Sequence, residues 1–141
     1  MLTYHLHEAD LLLPDGVVDN TVNAFVLPAE DGAPLTVVVT RDPKPARADA
    51  FGYADHLLVE AAKRLPGYDL KERVSVVVSQ QQTIEARFAW RTPEGAAVEQ
   101  RQAFVFHRGA AIIFTMTTRA NDMDRATPRW RQVLDSVRLR A

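Results

Sequence analysis

His5 and His7 stand two residues apart with Glu8 and Asp10 close by, and on a strand they would share one face. A metal site needs three or four converging ligands, and the remaining histidines, His56 and His107, fall on a helix pattern and at a strand end. The spacing matches no metal motif, so these residues read as solvated surface histidines. None of the six glycines forms a phosphate-cradling loop. The only serines are Ser75, Ser79 and Ser136, and none sits in a nucleophile elbow. The carboxylates are scattered, with no pair placed to work as acid and base. With no cysteine, disulfides, thiolate zinc sites and cysteine nucleophiles are excluded. The sequence therefore predicts no catalytic residue, no metal and no cofactor. The glutamines are more informative. Gln80-Gln81-Gln82 reads as a polar turn. Gln100 and Gln102 lie in mid-strand, on a face shared with Val98, Phe104 and Phe106. A glutamine amid apolar neighbours needs hydrogen-bond partners when buried. Either an adjacent strand or water supplies them, or a bound partner does.

The elements that carry these residues are mostly strands. Leu11–Leu13 ends at Pro14-Asp15-Gly16, a turn in which proline presets φ and glycine tolerates positive φ. Over Val18–Leu27, Val22, Ala24 and Val26 alternate with Asn23, Phe25 and Leu27. Pro28 to Pro34 reads as a loop, and Leu35–Thr40 is a β-branched strand. From Asp49 to Leu65 the period changes: Phe51, Ala54, Leu57, Leu58, Ala61, Ala62 and Leu65 form one helical stripe. Asp49 is its N-cap, and Pro66-Gly67 stops it. Four further strands follow, Arg73–Ser79, Thr83–Arg91, Ala97–His107 and Ala111–Thr118, joined as antiparallel hairpins. A last helix over Thr127–Val137, capped by Thr127 with Pro128 in its first position, completes the layout.

The expectation is one α+β domain over residues 1–141: an antiparallel curved sheet of six to seven strands with two helices on one face. Helices on one face would leave the other polar. Instead several strands are apolar on both sides: Val22/Ala24/Val26 against Phe25/Leu27, Val38 against Val37/Val39, Ile113 against Ile112/Phe114. Either the second face is covered by a dimer mate, a ligand or a partner's helix, or the strand limits shift and the sheet curls on itself. In this reading Phe25 points to the helix-covered side.

Composition narrows the function classes. The chain has 141 residues, 47% hydrophobic and 25% charged, which suits one globular domain with its own core. Seventeen basic against eighteen acidic residues give no positive excess, which disfavours nucleic acid as the main partner. No apolar run approaches the ~20 residues needed to cross a bilayer, so no membrane insertion is expected. The opening residues lack the basic start and apolar run of a signal peptide, and a cytoplasmic location is expected.

Several ordered segments carry a resemblance: Tyr4-His5-Leu6-His7-Glu8-Ala9-Asp10-Leu11, Pro14-Asp15, Asp19-Asn20-Thr21-Val22-Asn23-Ala24-Phe25, Leu27-Pro28, Thr40-Arg41-Asp42, Leu65-Pro66-Gly67-Tyr68, Arg101-Gln102-Ala103-Phe104 and Thr115–Thr118. Together they resemble the Eag chaperones, the effector-associated proteins of bacterial type VI secretion, within a broader DcrB-like α+β group. The resemblance implies a cytoplasmic homodimer that binds the N-terminal transmembrane helices of a secreted effector. It would shield them from water and promote loading on the secretion spike. By the same resemblance, Val22, Ala24 and Val38 match the strands of the client groove and Gln102 matches its glutamine. Phe104 joins them because it shares a face with Gln102. A polar helix position of the family is replaced here by Leu57-Leu58, so no hydrogen-bonding role carries over to it. The competing expectations are a small-ligand binder or an enzyme using the same sheet face. A periplasmic lipoprotein-like relative fits less well, for want of a leader and a lipidation cysteine.

Overall fold

The computed structural model of the protein describes residues 1–28 and 35–140. The loop expected over Pro28–Pro34 therefore lies outside the described residues except for Pro28. Strands β1 (Leu2–His5) and β2 (Asp10–Leu13) form a two-stranded arm. The main sheet comprises β3 (Asn23–Leu27), β4 (Leu35–Asp42), β5 (Asp69–Val78), β6 (Gln81–Arg91), β7 (Ala97–His107) and β8 (Ala110–Arg119). These are antiparallel in the order β3-β4-β8-β7-β6-β5. Helix α1 (Ala50–Arg64) connects β4 to β5. A 3-10 turn over Ala120–Asp122 leads from β8 into helix α2 (Met123–Asp135).

Local chemistry sets most of these boundaries. The Asp49 carboxylate accepts from the Gly52 amide at 2.7 Å, which caps α1. The β7–β8 hairpin turns through Arg108 and Gly109, both at positive φ, as a two-residue hairpin requires. The β5–β6 hairpin places Ser79 and Gln80 at positive φ instead. This shortens the expected glutamine turn, because Gln81 and Gln82 already belong to β6. The Gln81 amide donates to the Phe106 carbonyl and accepts from the Phe106 amide, bracketing β7 from the neighbouring strand's end. Helix α2 starts earlier than expected and runs through Pro128. Thr127 is no cap: its hydroxyl donates to the Met123 carbonyl and accepts from Arg101.

The expectation of a curved sheet of six to seven strands with two helices on one face is corrected. The sheet has six strands, is open and not curved, and ends in two edges, β3 and β5. Pronounced curvature is built from bulges, and these ladders hold a single register shift, between Leu70 and Glu72. The helices lie on opposite faces. Met123, Ala126, Trp130 and Leu134 of α2 pack with Leu35, Val37, Val78, Ala103, Val105, Phe114 and Met116. Tyr53, Ala54 and Leu58 of α1 pack with Ile84, Ala86, Phe88 and Phe104. Strand β7 shows why: alternate residues Ala103/Val105 and Phe104/Phe106 must both be buried, and one helix can cover only one set. The apolar character of both faces is thus largely accounted for within the chain. Phe25, expected beneath a helix, is 52% exposed, because neither core extends to it on β3.

An uncharged strip beside helix α1

Because α1 lies over β6, β7 and the start of β8, where Ala111 and Ile113 pack with it, its face of the sheet remains open over the later part of β8 and over β4 and β3. The register aligns Ala24, Val38, Thr115, Gln102 and Ala86 in one row across five strands. The next row on the same face runs Val26, Thr36, Thr117, Gln100 and Phe88. From β3 to β7 these two rows contain no ionisable side chain. Ala24 and Val26 are exposed, while Val38, Thr36, Thr115, Thr117, Gln100 and Gln102 are half-buried.

The glutamines are held by their neighbours on β8. Gln102 donates to Thr115 Oγ1 at 3.2 Å, and Gln100 donates to Thr117 Oγ1 at 3.0 Å. A cleft of about 340 Å³ separates them from α1, lined by Leu57, Glu60, Ala61, Arg64, Trp90 and both glutamines among others. Leu57 thus lines the cleft, whereas Leu58 is buried in the core. The sequence pattern of β7 pointed to these glutamines; their threonine partners on β8 lie 13 and 17 residues away and have no local signal.

The five residues singled out from the sequence separate into three groups. Ala24, Val38 and Gln102 share one row. Val22 lies just before β3, outside the ladder, and is 57% exposed. Phe104 is completely buried beneath α1, with its ring edge-on to Tyr53 at 6.1 Å. Tyr53 in turn donates to Asp42 at 3.0 Å. Its burial, and then that hydrogen bond, raise its hydroxyl well above the ordinary tyrosine range.

The opposite face holds an ionic cluster that the sequence did not announce. Glu85, almost fully buried, accepts from Trp130 Nε1 at 2.9 Å, Arg101 Nη1 at 3.0 Å and both terminal nitrogens of Arg131 at 2.6 Å. Every oxygen of this carboxylate is therefore satisfied, and its partners tie α2 to β6 and β7. His5 pairs with Asp10 across the exposed arm. Among the described residues, no three metal-ligating side chains come together.

An open antiparallel sheet with a helix on each face and one bare, uncharged strip has the form of a surface for binding another molecule. The chain belongs to the DcrB family, whose pattern it matches over residues 8–136. It is 33% identical over 138 residues to "Effector EagT6" of Pseudomonas aeruginosa, with 97% of this chain and 95% of that protein covered. The crystal structure of PA94, a Pseudomonas aeruginosa protein of unknown function, superposes with a TM-score of 0.84 at 33% identity. All of this chain and 98% of that one are covered. The protein is accordingly a chaperone of the DcrB/Eag type.

Proposed function

We propose that the protein binds the N-terminal transmembrane helices of a type VI secretion effector. It would keep them soluble in the cytoplasm and promote their loading on the spike, acting as a homodimer. The observation that carries this reading is the uncharged strip of Ala24, Val38, Thr115 and Gln102 that α1 leaves open. Three inter-strand spacings from β3 to β7 make it about 14 Å wide. An α-helix with its side chains is about 10–12 Å across, so the strip suits one helix lying on it. Along the strands, the five residues of β3 extend about 17 Å, so the strip takes the middle part of a membrane-spanning helix ~30 Å long. Such a helix in water exposes side chains at roughly 1.5–3 kcal/mol for each large one, and an apolar floor relieves part of that. Val22 extends the strip at its edge. Phe104 contributes from below, as the packed base on which α1 and the cleft wall rest. The cleft beside α1 shares Gln102 with the bare strip, which favours an elongated client over a small ligand.

The test is co-expression with the protein of the adjacent reading frame, intact or shortened by its N-terminal apolar segment. Co-purification of the intact form alone is the expected result. Equal recovery of both forms, or a small molecule retained in place of the polypeptide, would overturn the proposal.

A further inference from the structure

Resting on the homodimer of that reading, we infer that the β1–β2 arm is an exchange element. Its hairpin tip seats in the cleft at the C-terminal end of α2 on a second copy of this chain. Two antiparallel strands alone bury too little surface to stand in water. The arm nevertheless gets no cover from its own chain: among the described residues, none of the buried clusters includes one of its side chains. The Tyr4 and Thr21 hydroxyls meet at 2.8 Å, and the Met1 amine donates to Asp15 at 2.9 Å. Thr21 in turn offers its carbonyl to Arg41 of β4 at 3.3 Å, which keeps the arm on the β3 side of the sheet. Leu2, Leu6, Leu11 and Leu12 stay exposed, Leu12 by 67%. Three of them, Leu2, Leu6 and Leu11, line an open apolar cup of about 380 Å³ with Tyr4 and Leu13.

The complementary surface lies at the other edge of the sheet. Val77 at the end of β5, Leu134 of α2, and Val137 and Leu139 beyond it line a cleft of about 560 Å³ that Asp135 and Arg138 also border. The Leu139 amide donates to Ser79 Oγ at 2.9 Å, which fixes the C-terminal segment beside the β5–β6 turn. The strand order puts five inter-strand spacings, about 24 Å, between β3 and β5, so the arm leaves its own cleft unfilled. Charge selects the same pairing. Residues 1–28 contain Glu8, Asp10, Asp15 and Asp19 and no lysine or arginine. At the cleft, Arg131 is bound to Glu85, leaving Arg138 and Arg140 against Asp135. Two acidic arms set face to face would repel, whereas an arm on this basic segment is attracted. The hairpin turn is closed from the Leu6 amide to the Ala9 carbonyl at 2.8 Å, which puts Leu6 and Glu8 at the tip. Leu6 is the side chain that enters the apolar cleft, and Glu8 meets Arg138. Exchange of this element about a two-fold axis covers both arms and both clefts and closes the assembly. The client strip lies on the α1 side of the sheet, so exchange and client binding use separate surfaces.

The chain has no cysteine, so Leu6→Cys with Leu139→Cys introduces the only two thiols. After mild oxidation of the full-length protein, the double variant is expected to run as a covalent dimer on a denaturing, non-reducing gel, and each single variant as a monomer. Without oxidation, Leu6→Asp should weaken the dimer at least about tenfold in sedimentation while still recovering the client. Covalent dimers from Leu6→Cys alone would place arm against arm and overturn the inference. A crosslinked monomer from the double variant would overturn it too, as would a Leu6→Asp dimer as tight as the wild type, which leaves the homodimer standing. Loss of the client in Leu6→Asp with an unchanged dimer would assign the arm to the client instead. A wild type that is monomeric at micromolar concentration overturns the homodimer, and the inference with it, without touching the client strip.

Discussion

Replacing Ala24 by aspartate separates the empty groove from the filled one. In the free protein Ala24 is exposed on an edge strand, cross-strand from Val38. A carboxylate there keeps its hydration, and stability should change by no more than about 0.5 kcal/mol. With a transmembrane helix seated on the strip, the same carboxylate lies against hydrocarbon in a row that offers no cation. The effective penalty for burying an unpaired ion is several kcal/mol. Taking about 3 kcal/mol, affinity falls at least about a hundredfold, since each 1.4 kcal/mol is a factor of ten. Phe25→Asp is the matched control. It is the next residue of the same strand, is also exposed and points to the opposite face. The assay is recovery of the client on the immobilised chaperone, beside a thermal melt of each variant alone. Ala24→Asp should lose the client and melt like the wild type, while Phe25→Asp should retain both. Client loss in Phe25→Asp with retention in Ala24→Asp would place the groove on the α2 face and refute the assignment. A large drop in melting temperature for Ala24→Asp would show that the strip is structural core in the free protein.

Glu85→Ala removes the shared acceptor of Arg101, Arg131 and Trp130, leaving the buried indole N–H unpaired and the buried Arg101 only Thr127 and the longer contact to Glu72. Breaking a buried pair costs about 3–5 kcal/mol, readable as a lower urea midpoint at unchanged slope; an unchanged midpoint would exclude the cluster as the tie that holds α2. Light scattering at micromolar concentration should report about twice 15.8 kDa, and a strictly monomeric species would count against the homodimer. Tyr53 is held neutral by burial and by its bond to Asp42, so its contribution to stability is present below the unfolded pKa of about 10 and lost as pH rises through the higher folded value. Tyr53→Phe should cost about 1 kcal/mol at neutral pH and flatten the alkaline part of a melting-temperature profile between pH 8 and 11; parallel profiles for the two proteins would contradict it.

The sequence by itself determined whatever depends on neighbours within a few residues. The stripe from Phe51 to Leu65 and the Asp49 cap define α1, because helical spacing and capping are local. The Arg108-Gly109 turn defines the β7–β8 hairpin, because few residues accept positive φ. The alternation along β7 separated Gln100, Gln102 and Phe104 from their neighbours, although it did not distinguish the half-buried glutamines from the fully buried phenylalanine. The start of α2 escaped: Thr127-Pro128 carries a helix-start signature, yet Met123 and Ala126 pack into the core and draw the helix one turn further back. Tertiary structure alone decided which side of the sheet each helix covers, because alternation assigns residues to two faces without saying what lies over either. It also decided that Ala24, Val38, Thr115 and Gln102 form one row, since ladder register joins residues up to 91 positions apart only after β8 has inserted between β4 and β7. The bare strip has the same origin: α1 connects β4 to β5 at the far edge, crosses the start of β8, β7 and β6 on the way, and leaves the later part of β8, β4 and β3 uncovered.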